Sequence, residues 1–205
     1  MSVVESAIVG LRASAPQPLP FAPSLHIRAF VLERPRGDLL IYSTSAVEAD
    51  TATRQYLNHG HEALFLSATV AAPLFVHEAD REAVDRHVRA TFSRRHTLDD
   101  DFEAIPTPGH TPGATAYLWD NGDQRLLFTG DTLYLRDGEW VAAVLDSSNR
   151  DAYLESLELI RELDFDVLVP WAASAGQPDH ALTDRADTRR RIDAIIERVR
   201  RGGSH

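Results

Sequence analysis

Apolar positions along this chain recur at two spacings, every second residue and every third or fourth, and these mark out strands and helices. LHIRAFVLE (25–33) alternates well enough for a strand, Pro35-Arg36-Gly37-Asp38 is a turn, and DLLIYST (38–44) is a buried strand. Residues 62–72 read as a short helix leading to Pro73 and the strand LFVH (74–77). Beyond it Val84, Val88 and Phe92 repeat every four residues, which predicts an amphipathic helix from Glu78 to about Phe92. Residues 114–120 and 124–129 are strands joined at Asn121-Gly122, a strong two-residue hairpin signal, and 140–145 is a further short strand. Asn149 caps a helix over 150–163 with Tyr153, Leu157 and Ile160 on one face. FDVLVP (165–170) is a buried strand, and a last helix from about Asp187 to Arg201 buries Ile192, Ile195, Ile196 and Val199.

Periodicity by itself supports a mixed α and β domain. At 205 residues the chain fits one domain, 1–205, because a single core grows to about 250–300 residues before it splits. PQPLPFAP (16–23) is too proline-rich for regular structure, so residues 1–23 read as an extended N-terminal arm. The chain has no cysteine, which removes disulfides and cysteine nucleophiles and leaves only nitrogen and oxygen to hold a metal. Its 21 basic and 31 acidic side chains give a net charge of −10, which argues against a nucleic-acid partner and against anionic membrane. MSVVESAIVGLRASAP lacks a leading basic cluster and is a poor secretory signal. No apolar run approaches a membrane span, so a cytoplasmic location is expected, with a homodimer as the common assembly. Asp99-Asp100-Asp101 reads as a solvated acidic turn, and the arginines of the last helix as a solvated face.

The chemistry concentrates in two places. Thr107-Pro108-Gly109-His110-Thr111-Pro112-Gly113, followed by an apolar strand ending in Thr129-Gly130-Asp131, sets a histidine and a carboxylate at the ends of neighbouring strands. Upstream, Asn58-His59-Gly60-His61 adds two imidazoles one residue apart. His59, His61, His110 and Asp131 together form a candidate site for a divalent metal. Three neutral imidazoles suffice for a tetrahedral zinc with water in the fourth position. Gly109 and Gly130 let the backbone turn sharply beside the ligand. His26, His77, His87, His96 and His205 read as surface or satisfied core histidines.

The run PTPGHTPGATAYLWDNGDQRLLFTGDTLY (106–134) resembles the third-histidine and bridging-aspartate segment of the metallo-β-lactamase superfamily, whose branches include glyoxalase-II-like hydrolases. LNHGHEA (57–63) stands where that family places His-x-His-x-Asp-His. The resemblance is close over the C-terminal half and looser over the N-terminal half. It implies an α+β fold, a four-layer αββα sandwich with a metal cleft at its edge. It also implies that one metal takes His59, His61 and His110, and that a second takes the Asp-His pair completing the first motif and a late histidine. Here that pair reads Ala63-Leu64 and the late turn reads Pro170-Trp171-Ala172-Ala173, which offer no donor; the bridging carboxylate, Asp131, is retained. The implied site is therefore reduced to at most one ion. Glu62, one position before the absent aspartate, is displaced by a shift that points a side chain elsewhere. His180, in Gln177-Pro178-Asp179-His180, is a candidate stand-in for the late histidine. Tyr42-Ser43-Thr44-Ser45 replaces a family Asp-Thr-Gly turn, a change expected to alter the support of the ligands.

Three functions follow. The first is a metal-dependent hydrolase with one zinc, acting on an ester or thioester carbonyl of a small molecule, with Asp131 orienting the water. The second is a catalytically dead relative without a cofactor, a binding or assembly module whose vacated space Trp171 fills. The third is an iron dioxygenase-like protein that uses His59, His110 and Asp131 as a two-histidine, one-carboxylate set.

Overall fold

Alternating side chains sort the central strands between two apolar layers. In Thr115–Asp120, Tyr117 and Trp119 point into one core while Ala116 and Leu118 point into another. Arg125–Gly130 divides likewise, Leu126 and Phe128 against Leu127, and Val167–Pro170 divides Val167 and Val169 against Leu168. These strands are covered on both faces, which is why they read as nearly continuous apolar runs. The computed structural model describes residues 8–45 and 47–204. Residues 1–7, with which the expected extended arm and the poor secretory signal begin, lie outside it, as do Ala46 and His205.

Two six-stranded sheets enclose the larger core. One runs, in spatial order, Leu11–Ala13, Phe30–Leu32, Asp38–Ile41, Ala52–Tyr56, Leu74–His77 and Val88–Phe92. The other runs Ala181–Leu182, Val167–Pro170, Arg125–Gly130, Thr115–Asp120, Phe102–Pro106 and His96–Leu98. Aromatic rings bridge them: Phe30, Tyr42 and Phe128 meet pairwise at 6.0 Å, and Tyr56 packs on Phe102 and Tyr117 at 5.3 and 5.4 Å. A third sheet, Glu139–Val141, Tyr134–Arg136, Ala172–Ser174, Ala22–Ile27 and Gln17–Leu19, contributes Leu19, Leu25, Tyr134 and Ala172 to the wall of a cleft. The helices Arg150–Glu162 and Arg185–Arg200 pack together on the outer face of the second sheet, burying Tyr153, Leu157, Ile160, Ile192, Ile195, Ile196 and Val199. This is the expected α+β sandwich. Its other outer layer consists of two short 3-10 turns, Gly60–Phe65 and Glu78–Ala83. No helix among the described residues is long and apolar enough to cross a membrane.

Several local expectations are corrected. The helix expected over 78–92 is a 3-10 turn followed by the strand Val88–Phe92, which pairs in parallel with Leu74–His77. A four-residue repeat satisfies period 2 as well as period 3.6, and an unpaired sheet edge decided between them. The helix expected over 62–72 shrinks to Gly60–Phe65. PQPLPFAP does adopt regular structure: Gln17–Leu19 pairs with Ala22–Ile27 at a sheet edge, where prolines forfeit no ladder bond. LHIRAFVLE is two strands in different sheets, because the chain leaves the third sheet at Arg28 and enters the first at Phe30. The hairpin turn is shifted by one residue, with Asn121 N–H donating to the Gln124 carbonyl across Gly122-Asp123. The acidic turn is held rather than merely solvated. Arg34, with its side chain 2% exposed, reaches Asp99 at 2.7 Å and grips Asp101 with two nitrogens at 2.5 and 2.8 Å.

Candidate metal centre

The site is assembled from loops that follow three strands. Ala52–Tyr56 leads to Asn58-His59-Gly60-His61, Phe102–Pro106 to Gly109-His110, and Arg125–Gly130 to Asp131. Gly109 has φ +142, and a Cβ there would lie 2.5 Å from the Tyr153 Cα. Gly130 has φ +56, and a Cβ there would lie inside the Asn58 carboxamide. The two tight turns thus do more than bend the chain; they let ligand loops approach a helix and each other.

His59, His61 and His110 converge: their ligand-bearing nitrogens all lie within 4.8 Å of one another, making a group that can hold a metal ion. His61 Nδ1 is 3.2 Å from His110 Nε2. Asp131 Oδ2 is 3.6 Å from His59 Nε2 and 3.7 Å from His110 Nε2. Ligands about 2.0–2.1 Å from a tetrahedral zinc sit roughly 3.4 Å apart, so these spacings suit one ion. The other ring nitrogens are committed. His110 Nδ1 lies 2.7 Å from the Ala143 carbonyl and must donate to it, which leaves Nε2 as a lone pair. His59 Nδ1 faces Asn58 Oδ1 at 3.1 Å and Glu62 Oε1 at 3.2 Å. His59 Nε2 is buried without a hydrogen-bond partner among the described residues, as is Asp131 Oδ1. A buried lone pair left unsatisfied and aimed at two imidazoles and a carboxylate fits a cation.

The electrostatics favour the ligand forms of the rings. Burial, then repulsion from His110 and His61, holds His59 well below the ordinary imidazole pKa. His61 is lowered too, chiefly by burial and next by His110. Burial raises the Asp131 carboxyl above its usual range, against the pull of His110.

Glu62 and His180 are not brought to the ligand atoms. Glu62 is fully buried, accepts the Asn58 and His59 N–H groups at 2.8 and 3.2 Å, and orients the His59 ring from behind. Burial raises its carboxyl well above the ordinary value. His180 lies outside the cluster, with Nδ1 2.9 Å from the carboxylate of Asp179. Trp171 is buried beside the cluster, packed edge-on against Phe65 at 5.4 Å. Its indole donates to the Ser43 carbonyl at 2.9 Å, its ring meets His59 edge-on at 5.3 Å, and a cavity of about 430 Å³ opens beside it.

Three further residues support the ligands, in roles that the sequence did not assign to them. Tyr42, at φ +68, donates to the Val169 carbonyl at 2.6 Å and accepts the Gly130 N–H at 2.8 Å, fixing the turn before Asp131. Asp80 accepts from Gly60 N–H, Gly113 N–H and the Thr111 hydroxyl at 2.8, 2.8 and 2.6 Å, tying both histidine loops together. Tyr153 donates to the Thr132 carbonyl at 2.6 Å and accepts the Ala143 N–H at 2.9 Å, joining the aspartate turn to the segment that orients His110. Tyr153 was legible only as an apolar helix position and Tyr42 only as part of a departure from a family turn; Asp80 gave no periodic or motif signal.

The fold is an α+β sandwich, and its three-histidine cluster, with His61 and His110 in the wall of the cleft, could hold a metal ion. Residues 47–172 match the model of the metallo-beta-lactamase superfamily, and the chain belongs to that family. Among curated proteins none matches it. The fold is similar to that of an archaeal metallo-beta-lactamase superfamily protein from Sulfolobus tokodaii, with TM-score 0.63 and 16% identity over 92% of this chain and 86% of that one. It is also similar to a metallo-beta-lactamase family protein from Thermus thermophilus, with TM-score 0.63 and 15% identity over 95% and 80% of the two chains. BJP-1, a subclass B3 metallo-beta-lactamase of Bradyrhizobium japonicum, gives TM-score 0.61 and 15% identity over 87% and 90%.

Proposed function

We propose that this protein is a metal-dependent hydrolase with a single ion, held by His59 Nε2, His61 Nδ1 and His110 Nε2, acting on an ester or thioester carbonyl. The observation that carries the reading is the convergence of these nitrogens around a buried, unpartnered His59 Nε2. A bound zinc would polarise the carbonyl and make water nucleophilic near neutral pH. The chain's own residues supply the rest. Asp131, whose Oδ2 lies 3.6 and 3.7 Å from the His59 and His110 ligand nitrogens, would orient the attacking water by accepting its hydrogen bond. Phe65 and Trp171 wall the reacting end and reduce competition from bulk water. Ala63 and Leu64 carry no donor atom, which supports one ion rather than two.

Elemental analysis of protein purified without added metal tests the reading. One equivalent of zinc, lost in His110→Ala together with ester hydrolysis, is the expected result. Two equivalents, or none with unchanged thermal stability in chelator, overturn it. A second reading, a mononuclear iron site on His59, His110 and Asp131, is favoured by the 3.6 and 3.7 Å spacings from the aspartate. Iron in the same assay, with oxygen consumption instead of hydrolysis, selects it.

A further inference from the structure

The cleft beside the histidines has a chemical polarity of its own. We infer, resting on the hydrolase reading, that it takes an uncharged substrate with a long apolar acyl chain and rejects anionic ones. The cavity, about 430 Å³, lies within the range of about 300–1,000 Å³ usual for small-molecule sites. His61, His110 and Asp131 lie in its wall, where a carbonyl would react, and most of the remaining lining is apolar. Five large apolar side chains are exposed among the described residues. Three of them, Leu64 at 82%, Phe21 at 77% and Leu145 at 43%, line this one cleft. Apolar surface gathered in this way around reactive groups is a binding feature rather than scatter.

Charge points the same way. All 21 basic side chains are arginines, and none of them lines the cleft. Arg136 comes beside it, with its guanidinium 5.3 Å from the Tyr134 ring centroid, stacked on that ring. A carboxylate carried along the acyl chain would lose water and gain no partner.

Calorimetry with methyl ketones bearing butyl, hexyl and octyl chains reads this preference without turnover. Affinity is expected to rise about three- to fourfold per added methylene, as burial of one methylene dictates. A carboxylate at the far end of the octyl chain should cancel the gain. Leu64→Arg, on an exposed rim position, should weaken the octyl ketone about tenfold and restore binding of its carboxylate-tailed form. Affinity indifferent to chain length, or equal affinity for the carboxylate-tailed ketone, overturns the inference. Chain-length dependence without hydrolysis of the matching ethyl esters upholds it and sinks the hydrolase reading. Hydrolysis at rates indifferent to chain length does the reverse.

Discussion

On the histidine side of the cleft the residues hold one another from behind: Glu62 and Asn58 set His59, Ala143 sets His110, and Tyr42, Asp80 and Tyr153 pin the loops between them. At the rim, Phe21, Leu64 and Leu145 lie against solvent. The first side depends on direction, because a ligand lone pair must point at one spot. The second depends only on apolar area, which has no direction. Substitutions should therefore be costly on one side and nearly silent on the other.

Gly130→Ala attacks the directional side hardest. Its φ of +56 and the carboxamide of Asn58 leave no space for a methyl group, so urea unfolding should show a loss of about 3 kcal/mol or more. A loss below about 1 kcal/mol would mean that the loops can part, and the contrast between the two sides would fail. Tyr153→Phe is gentler. It strands the Thr132 carbonyl and the Ala143 N–H, for a loss of about 1–3 kcal/mol. Metal affinity should fall about tenfold with it, since His110 is oriented through Ala143. Stability lost with metal affinity intact would show that Tyr153 braces the fold but not the site.

Acid gives a shallower effect. In chelator, His59 stays neutral in the folded chain, while an unfolded imidazole protonates below about pH 6.5. The unfolded state then binds more protons, so this contribution makes stability fall as pH drops below that value. Glu62 and Asp131, with raised carboxyls, act oppositely: their contribution falls as pH rises from the unfolded carboxyl range toward their folded values. The histidine part is read as the difference between wild type and His59→Gln in urea midpoints at pH 7.5 and 5.5, and equal differences at the two values would refute it. Smallest of all is Leu64→Ser on the rim, expected to change stability by less than about 0.5 kcal/mol. A larger loss would show that the rim is structural.

Much of this was legible along the chain. The apolar runs over 114–120 and 124–129 mark strands, and Ile192, Ile195, Ile196 and Val199 mark the buried stripe of the last helix. The three histidines were legible because Pro-Gly turns and a one-residue gap are local features. The strand Val88–Phe92 was not, because its spacing fits a helix equally well. Nor was the reach of Arg34 to Asp99 and Asp101, sixty-five and sixty-seven residues away.

Local rules act through neighbours in the chain, so the sequence alone determined the two long helices, most of the central strands, which residues could ligate a metal, and that the side chains at 63 and 64 could not. Which side chains stand behind those ligands was decided only by tertiary structure. Tyr42 meets Gly130 across 88 residues, and Asp80 meets Gly113 across 33. Hydrogen bonds at such separations leave no periodic trace, because closing the sheets into a sandwich is what creates them.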